Sequence, residues 1–222
     1  MDALDRLAEP GLDLLGRVDK LLAAGAPDGH RLWPLLRRMR VLPGTAVRGF
    51  LDLYPAPLAD AGRAVRQLVP TYDGVCGVLT DPVSWSGPAA SAYDQTRTAL
   101  LRHLDEGPES LVGRLESTAG YADALADWVE SSRRALARAL ADVLGSAEAV
   151  RVRVATAPGV EPSGTALLAA ADIGHRVLAV LGVAYDGAET LLRQWSPSLT
   201  EVSWRGPAFG PTRYDTVTRI RY

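Results

Sequence analysis

The sequence has one cysteine, Cys76, in 222 residues, so no intramolecular disulfide forms and the fold must rest on packing in any compartment. Phenylalanine is nearly absent, with two residues, while Ala, Leu and Val are abundant. Sheets draw on aromatic and β-branched side chains. Helix seams draw on Ala for close approach and Leu to fill holes. Neither sign of charge dominates: 24 Lys and Arg face 26 Asp and Glu, a net charge of −2. That balance gives no field to gather nucleic acid or an anionic membrane. No stretch approaches the roughly 18 to 20 uninterrupted apolar residues of a membrane span, so no integral membrane segment is expected. The start, Met1-Asp-Ala-Leu-Asp-Arg-Leu, lacks the basic residues, apolar run and cleavage site of a secretory signal.

Catalytic patterns are also missing. His30, His103 and His175 are dispersed in sequence without partners at ligand spacing, which predicts no metal site and no acid–base pair. Cys76 has no neighbouring histidine and reads as a buried, inert thiol. His175, beside Gly174, reads as a hydrogen-bonded helix histidine. Phosphate-binding glycine loops, a dinucleotide fingerprint and a nucleophile elbow are absent. Asp123 and Asp127, with Glu130, Arg133 and Arg134, read as solvated ion pairs on a helix face. The expectation is a protein that is not an enzyme and needs no cofactor.

What is present is helical periodicity. Between Glu109 and Thr156, Leu111, Leu115, Ala122, Leu125, Val129, Leu136, Leu140, Val143, Ala147, Val150 and Val154 fall on three- and four-residue steps. The spacing predicts one coiled-coil-like helix of over ten turns, ended by Ala157-Pro158-Gly159. Ser163 then caps a second long helix through Leu167, Leu178, Leu181, Tyr185 and Trp195, stopped by Ser196-Pro197. The two are expected to pack antiparallel. Leu58, Ala61, Val65, Leu68, Tyr72, Val75 and Leu79 mark another helical face, bent by Pro70. Pro88 opens a helix that Gly107-Pro108 divides from the long one. The first 25 residues form an amphipathic helix placed over an end of the bundle. Pro34, Pro43, Pro55 and Pro57 cut the following stretch into short helical pieces, where Arg37, Arg38 and Arg40 make a basic patch read as a solvated linker face. The fold class is all-α, an elongated antiparallel helical bundle. Its segments are 1–57 (N-terminal helix and Pro-interrupted pieces), 58–196 (the bundle) and 197–222 (an irregular tail, with Tyr214 to Tyr222 read as a short strand or an ordered extension).

The most informative stretch is Asp81-Pro-Val-Ser-Trp85-Ser86-Gly87-Pro88-Ala-Ala-Ser-Ala-Tyr93. Trp85 supplies a large anchor able to insert between helices with its indole N–H free for a partner. Gly87 admits a backbone conformation closed to other residues, and Pro88 presets the first turn of the next helix. Ala89, Ala90 and Ala92 then allow close packing.

In these residues the sequence resembles the WxG hairpin family of type VII (ESX-like) secretion substrates, including the longer PPE-like and Esp-like actinobacterial relatives. Trp85-Ser86-Gly87 matches the family's loop motif, and the resemblance covers roughly 58–144 as helix, loop and helix. The family also carries a Tyr-x-x-x-Asp or Tyr-x-x-x-Glu export signal, which Tyr185-Asp-Gly-Ala-Glu189 fits, although about a hundred residues after the loop. Tyr185 already lies on the apolar stripe, which favours a core tyrosine with Glu189 facing solvent. Val202-Ser-Trp204-Arg205-Gly206-Pro207-Ala208 echoes the loop without a following helix, and reads as local mimicry of the turn.

The resemblance implies a secreted substrate, exported by a signal-peptide-independent route and cytoplasmic before export, or a component that pairs with one. Its implied partners are a secretion-machinery component, a second helical hairpin protein or another copy of itself. The competing expectation is a cytoplasmic adaptor or chaperone for a toxin or effector.

Overall fold

The computed structural model describes residues 1–23, 25–81, 84–200, 203–204 and 206–208. Their regular structure is helical throughout: α1 (Ala3–Ala23), α2 (Leu32–Met39), α3 (Pro43–Leu51), α4 (Pro55–Arg66), α5 (Val69–Thr80), α6 (Pro88–Asp105), α7 (Leu111–Leu144), α8 (Ala147–Ala155), α9 (Gly164–Trp195) and a 3₁₀ turn, Ser196–Leu199. The all-α expectation holds, with no strand among the described residues. The suggested strand at 214–222 lies outside them. Two compact units are distinguished, one of Met1–Leu58 with Ala124–Leu192 and the other of Ala59–Asp123 with Arg193–Tyr222. The chain passes between the units at 58/59, 123/124 and 192/193.

The first unit contains the main core. Leu14, Leu15 and Val18 of α1, Phe50 of α3, Leu136 and Leu140 of α7, and Ile173, Leu178 and Leu181 of α9 are all essentially inaccessible and form one cluster. Helix α1 packs on α3 and α8, so it is a central element and not the end cover expected. Its partner α3 starts against it: both carboxylate oxygens of Asp19 accept from the Gly44 N–H at 3.1 Å, meeting orphan donors at a helix N-terminus.

The expected single helix from Glu109 to Thr156 is two. Helix α7 stops at Leu144, and Ser146 adopts an extended backbone whose Oγ accepts from the Ala149 N–H at 3.2 Å, capping α8. A Gly-Ser pair ends one helix and starts the next. The break changes the phase of the apolar stripe. Ala149, Val152 and Ala155 are buried in α8, whereas Val150 and Val154, placed inside by an unbroken count, are 58% and 62% exposed. Within α7 the buried residues Val112, Ala119, Ala126, Arg133 and Leu140 recur every seventh position, and Val129, Ser132, Leu136, Ala137 and Val143 are buried as well.

Ser163 does cap α9, accepting from the Ala166 N–H at 3.3 Å. By length and composition α9 is long and apolar enough to cross a membrane, which the uninterrupted-run criterion missed. Ile173, Val177, Leu178 and Leu181 on it are fully buried in the first unit.

The second unit has a thinner interior. Among its described residues only Gly62, Cys76, Leu104, Ser110, Val112 and Ala119 are buried. The expected bent helix over 58–79 is divided at Gln67-Leu68, and Pro70 takes an early position in α5 where its missing N–H costs nothing. The apolar face expected there is largely open: Leu68 and Val75 are about half exposed. Small residues allow the close approaches that do occur. Gly62 lies against the Ala119 carbonyl, and Gly120 lies under the Trp195 ring, which also meets Tyr121 at 6.2 Å between centroids.

Candidate functional site

The loop between α5 and α6 is built from its two ends. Arg97 on α6 donates from Nη1 to the Asp81 carbonyl at 2.5 Å and from Nη2 to Asp94 at 2.6 Å, so one guanidinium ties the end of α5 to the first half of α6. At the other end Gly87 is the N-cap of α6, at φ 116° and ψ −179°. That region is essentially reserved for glycine, as the sequence argument requires. Pro88 follows in the first turn, and the Gly87 carbonyl accepts from the Ser91 N–H at 3.0 Å.

Trp85 differs from expectation. It does not insert between helices; it is 48% exposed and its ring lies 6.1 Å from that of Tyr93, which stands about a turn and a half into α6. Ser84, Ser86, Gly87, Pro88 and Ala89 are exposed as well. Helix α5 packs on α6, and along it Leu68, Val75 and Val78 stay accessible, Val78 at 73%. The loop motif therefore sits in a unit with an open apolar surface beside a half-exposed tryptophan. The echo near the C-terminus has Trp204 exposed to a similar degree, while Val202 and Arg205 lie outside the described residues.

In the first unit, Tyr185 is 44% exposed, which removes the core-tyrosine reading. Its neighbours Leu181 and Ala184 are the buried ones. Tyr185 and the exposed Glu189 line a shallow cleft of about 310 Å³ with Arg38, Met39, Val41 and Ala46. Arg38, assigned to a solvated linker face, is ion-paired with Asp186. That hydrogen bond holds the Asp186 carboxyl below its ordinary range and the Arg38 guanidinium above its own.

Two polar clusters were not legible in the sequence. Arg133, expected in a solvated pair, is 2% exposed. Its Nε donates to Asp2 at 2.6 Å, Nη2 to Asp5 at 2.5 Å, and Nη1 to the carbonyls of Leu51 and Leu53, each at 2.9 Å. The guanidinium carbon also lies 4.8 Å from the centre of the Tyr54 ring. Burial pulls Arg133 down, but its bonds to Asp2 and Asp5 outweigh that and hold it above its usual value. The same hydrogen bond lowers Asp2 to about 2. Of the rest of the expected group, Arg134 does pair with Glu130 along the helix surface, while Asp123 pairs with Arg66 of α4 instead.

The second cluster corrects the reading of the histidines as dispersed. His30 and His175 meet edge to face with ring centroids 6.5 Å apart, and Asp172 lies 3.4 Å from His30 Nε2 and 3.3 Å from Arg31. His175, expected to be hydrogen-bonded, has a buried Nδ1 with no partner. Among the described residues no group of three or more His, Cys, Asp or Glu is placed to hold a metal ion. Cys76 is buried, as expected, and burial, reinforced by Asp105 and Asp73, pushes its thiol up and away from the reactive thiolate.

These arrangements offer apolar and aromatic contact at the α5–α6 loop and charge at the Tyr185 cleft. Compared with known proteins, the chain matches no family model, no curated protein and no solved structure.

Proposed function

We propose that this chain is a WxG-type helical protein of a type VII secretion system, an exported substrate or a component that pairs with one, acting by protein–protein recognition and not by catalysis. The observation that carries the reading is the open apolar surface of the second unit. Val78 is 73% exposed and Leu68, Val75, Trp85 and Tyr93 are about half exposed, along α5 and at a Trp-x-Gly turn whose glycine has a conformation closed to other residues. Apolar side chains gathered on a thin interior favour burial by a partner. In this proposal α5 and α6 form a short antiparallel hairpin about the turn, and the partner's helices cover their apolar face. Trp85 is the aromatic anchor of that contact. Tyr185 and Glu189 form a second recognition element, with the Arg38–Asp186 pair fixing the cleft beside them.

The test is export from the native host, comparing tagged wild type with Trp85→Ala and Gly87→Ala and confirming by circular dichroism that each variant is folded. Wild type in the medium with the folded variants retained supports the proposal. If wild type never leaves the cell, the adaptor or chaperone reading replaces it.

A further inference from the structure

The contact between the start of α2 and the middle of α9 depends on two imidazoles that each have a nitrogen committed or shut away. His30 is fixed in one tautomer: its Nδ1 accepts from the Leu32 N–H at 3.1 Å, so the ring proton resides on Nε2, 3.4 Å from Asp172 Oδ1. His30 is only 10% exposed in its side chain. The turn leading to it is held by the Pro27 carbonyl, which accepts from the His30 N–H at 3.2 Å and the Trp33 Nε1–H at 3.0 Å. Leu32 is fully buried and packs with Leu22 and Pro43 over Gly174, next to His175. His175 Nδ1 has neither solvent nor a hydrogen-bond partner.

We propose that the His30–His175 pair is an acid-sensitive latch: protonation frees the first turn of α2 from α9 and exposes the apolar seam around Leu32, while neutral rings hold it closed. A proton on His30 Nδ1 turns an acceptor into a donor, and the Leu32 N–H loses its partner. A proton on His175 places charge on a partly buried ring, whose Nδ1 is shut from solvent, 6.5 Å from the other imidazole.

The surrounding charges offset this only in part. On α9, Arg176 and Asp172 face the pair; from the α2 side comes Arg31. Asp172 is the one carboxylate in direct contact and is already shared with Arg31. From α8, Glu148 is engaged with Arg176 at 3.5 Å, and on α1 Asp19 is committed to the Gly44 N–H. Burial, then Arg31 and His30, holds His175 below the ordinary 6.5 of a histidine. For a base lowered on folding, the closed state is fully favoured above 6.5 and loses that advantage as pH falls below it. With one linked proton the open fraction grows about tenfold per pH unit in that window. The far end of α2 stays tied through Arg38 and Asp186, so opening is local to the first turn.

The experiment is hydrogen exchange read by mass spectrometry on the full chain from about pH 7.5 to about pH 5, the usual range of a histidine switch, corrected for intrinsic rates. Peptides over 27–36 should lose protection progressively as pH falls below 6.5, with α7, which has no histidine, as an internal reference. The double variant His30→Gln, His175→Gln should flatten the pH dependence. Unchanged protection in wild type, or the same loss in a folded double variant, overturns the latch. If the double variant does not fold, the imidazole resonances of wild type decide. Titration of both rings near the free-histidine value with no change at the Leu32 amide refutes the proposal; a depressed His175 titration coupled to that amide sustains it.

Discussion

Replacing Arg133 by Met removes the guanidinium and keeps most of the aliphatic volume, which makes it a clean probe of the buried cluster. The loss includes four hydrogen bonds, to Asp2, Asp5 and the carbonyls of Leu51 and Leu53. Breaking a buried pair by removing one partner costs about 3–5 kcal/mol, because the stranded charge stays desolvated. Here the lower end applies. The Asp2 side chain is 47% exposed and rehydrates, whereas Asp5, at 20%, does so poorly. The expected destabilisation is therefore about 3 kcal/mol, or a melting midpoint lowered by roughly 6–12 °C for a chain of this size. Urea denaturation followed by circular dichroism measures it. Asp2→Asn, which removes only the more hydrated carboxylate, should cost distinctly less. An Arg133→Met protein within about 1 kcal/mol of wild type would show that the cluster contributes no more than an ordinary surface pair, and the argument from burial would be wrong.

Other outcomes follow from the same contacts. Asp2 is lowered on folding, so its contribution is present above 3.8 and disappears as pH falls from there to about 2; acid denaturation curves should show this step in wild type and not in Arg133→Met. A Cβ at Gly113 would lie 2.6 Å from the Gly107 carbonyl and 2.9 Å from the Pro108 backbone, so Gly113→Ala should destabilise by about 1–3 kcal/mol, read in the same urea assay. Ser146→Ala removes the cap of α8 and should cost about 1 kcal/mol, with faster amide exchange confined to the first turn of that helix. Trp85→Ala removes a half-exposed ring in contact with Tyr93 and should alter stability by less than about 1 kcal/mol; a much larger loss would make Trp85 a structural anchor.

Much of the helical content was readable because starts and stops have local chemistry. Pro88 after Gly87, Ser163 before α9 and Pro197 after Trp195 mark ends by what their own backbones can do. The 145–146 break was missed because Gly and Ser are each tolerated inside a helix, and only the backbone geometry shows Ser146 capping a new one. That single miss misplaced Val150 and Val154. The α4–α5 division was read as a bend because Pro70 serves equally in a kink or a first turn. The loop's glycine and proline could be read for the same local reason, whereas the setting of Trp85 depends on what packs nearby. Arg133 and the histidine pair were out of reach: Arg133 meets Asp2 across 131 residues and His30 meets Asp172 across 142. No periodic pattern encodes such meetings, and an arginine at a seam position looks the same in sequence as one on a wet face.

The first unit is assembled from Met1–Leu58 and Ala124–Leu192, with Ala59–Asp123 of the second unit made in between. A nascent chain therefore presents α1, α2 and α3 long before α7, α8 and α9 exist to complete the cover over Leu14, Leu15 and Val18. At about 5–20 residues per second, the interval from Leu58 to Leu192 lasts roughly 7 to 27 s. Closing so long a loop also adds an entropic cost that grows slowly with its length, and such distant pairings slow folding. During that interval the apolar stripe of α1 is a ligand without a receptor, open to chaperones or to another unfinished chain. Truncation anywhere between 58 and 192 leaves it permanently so, and fragments ending there should be recovered as aggregates or chaperone-bound species.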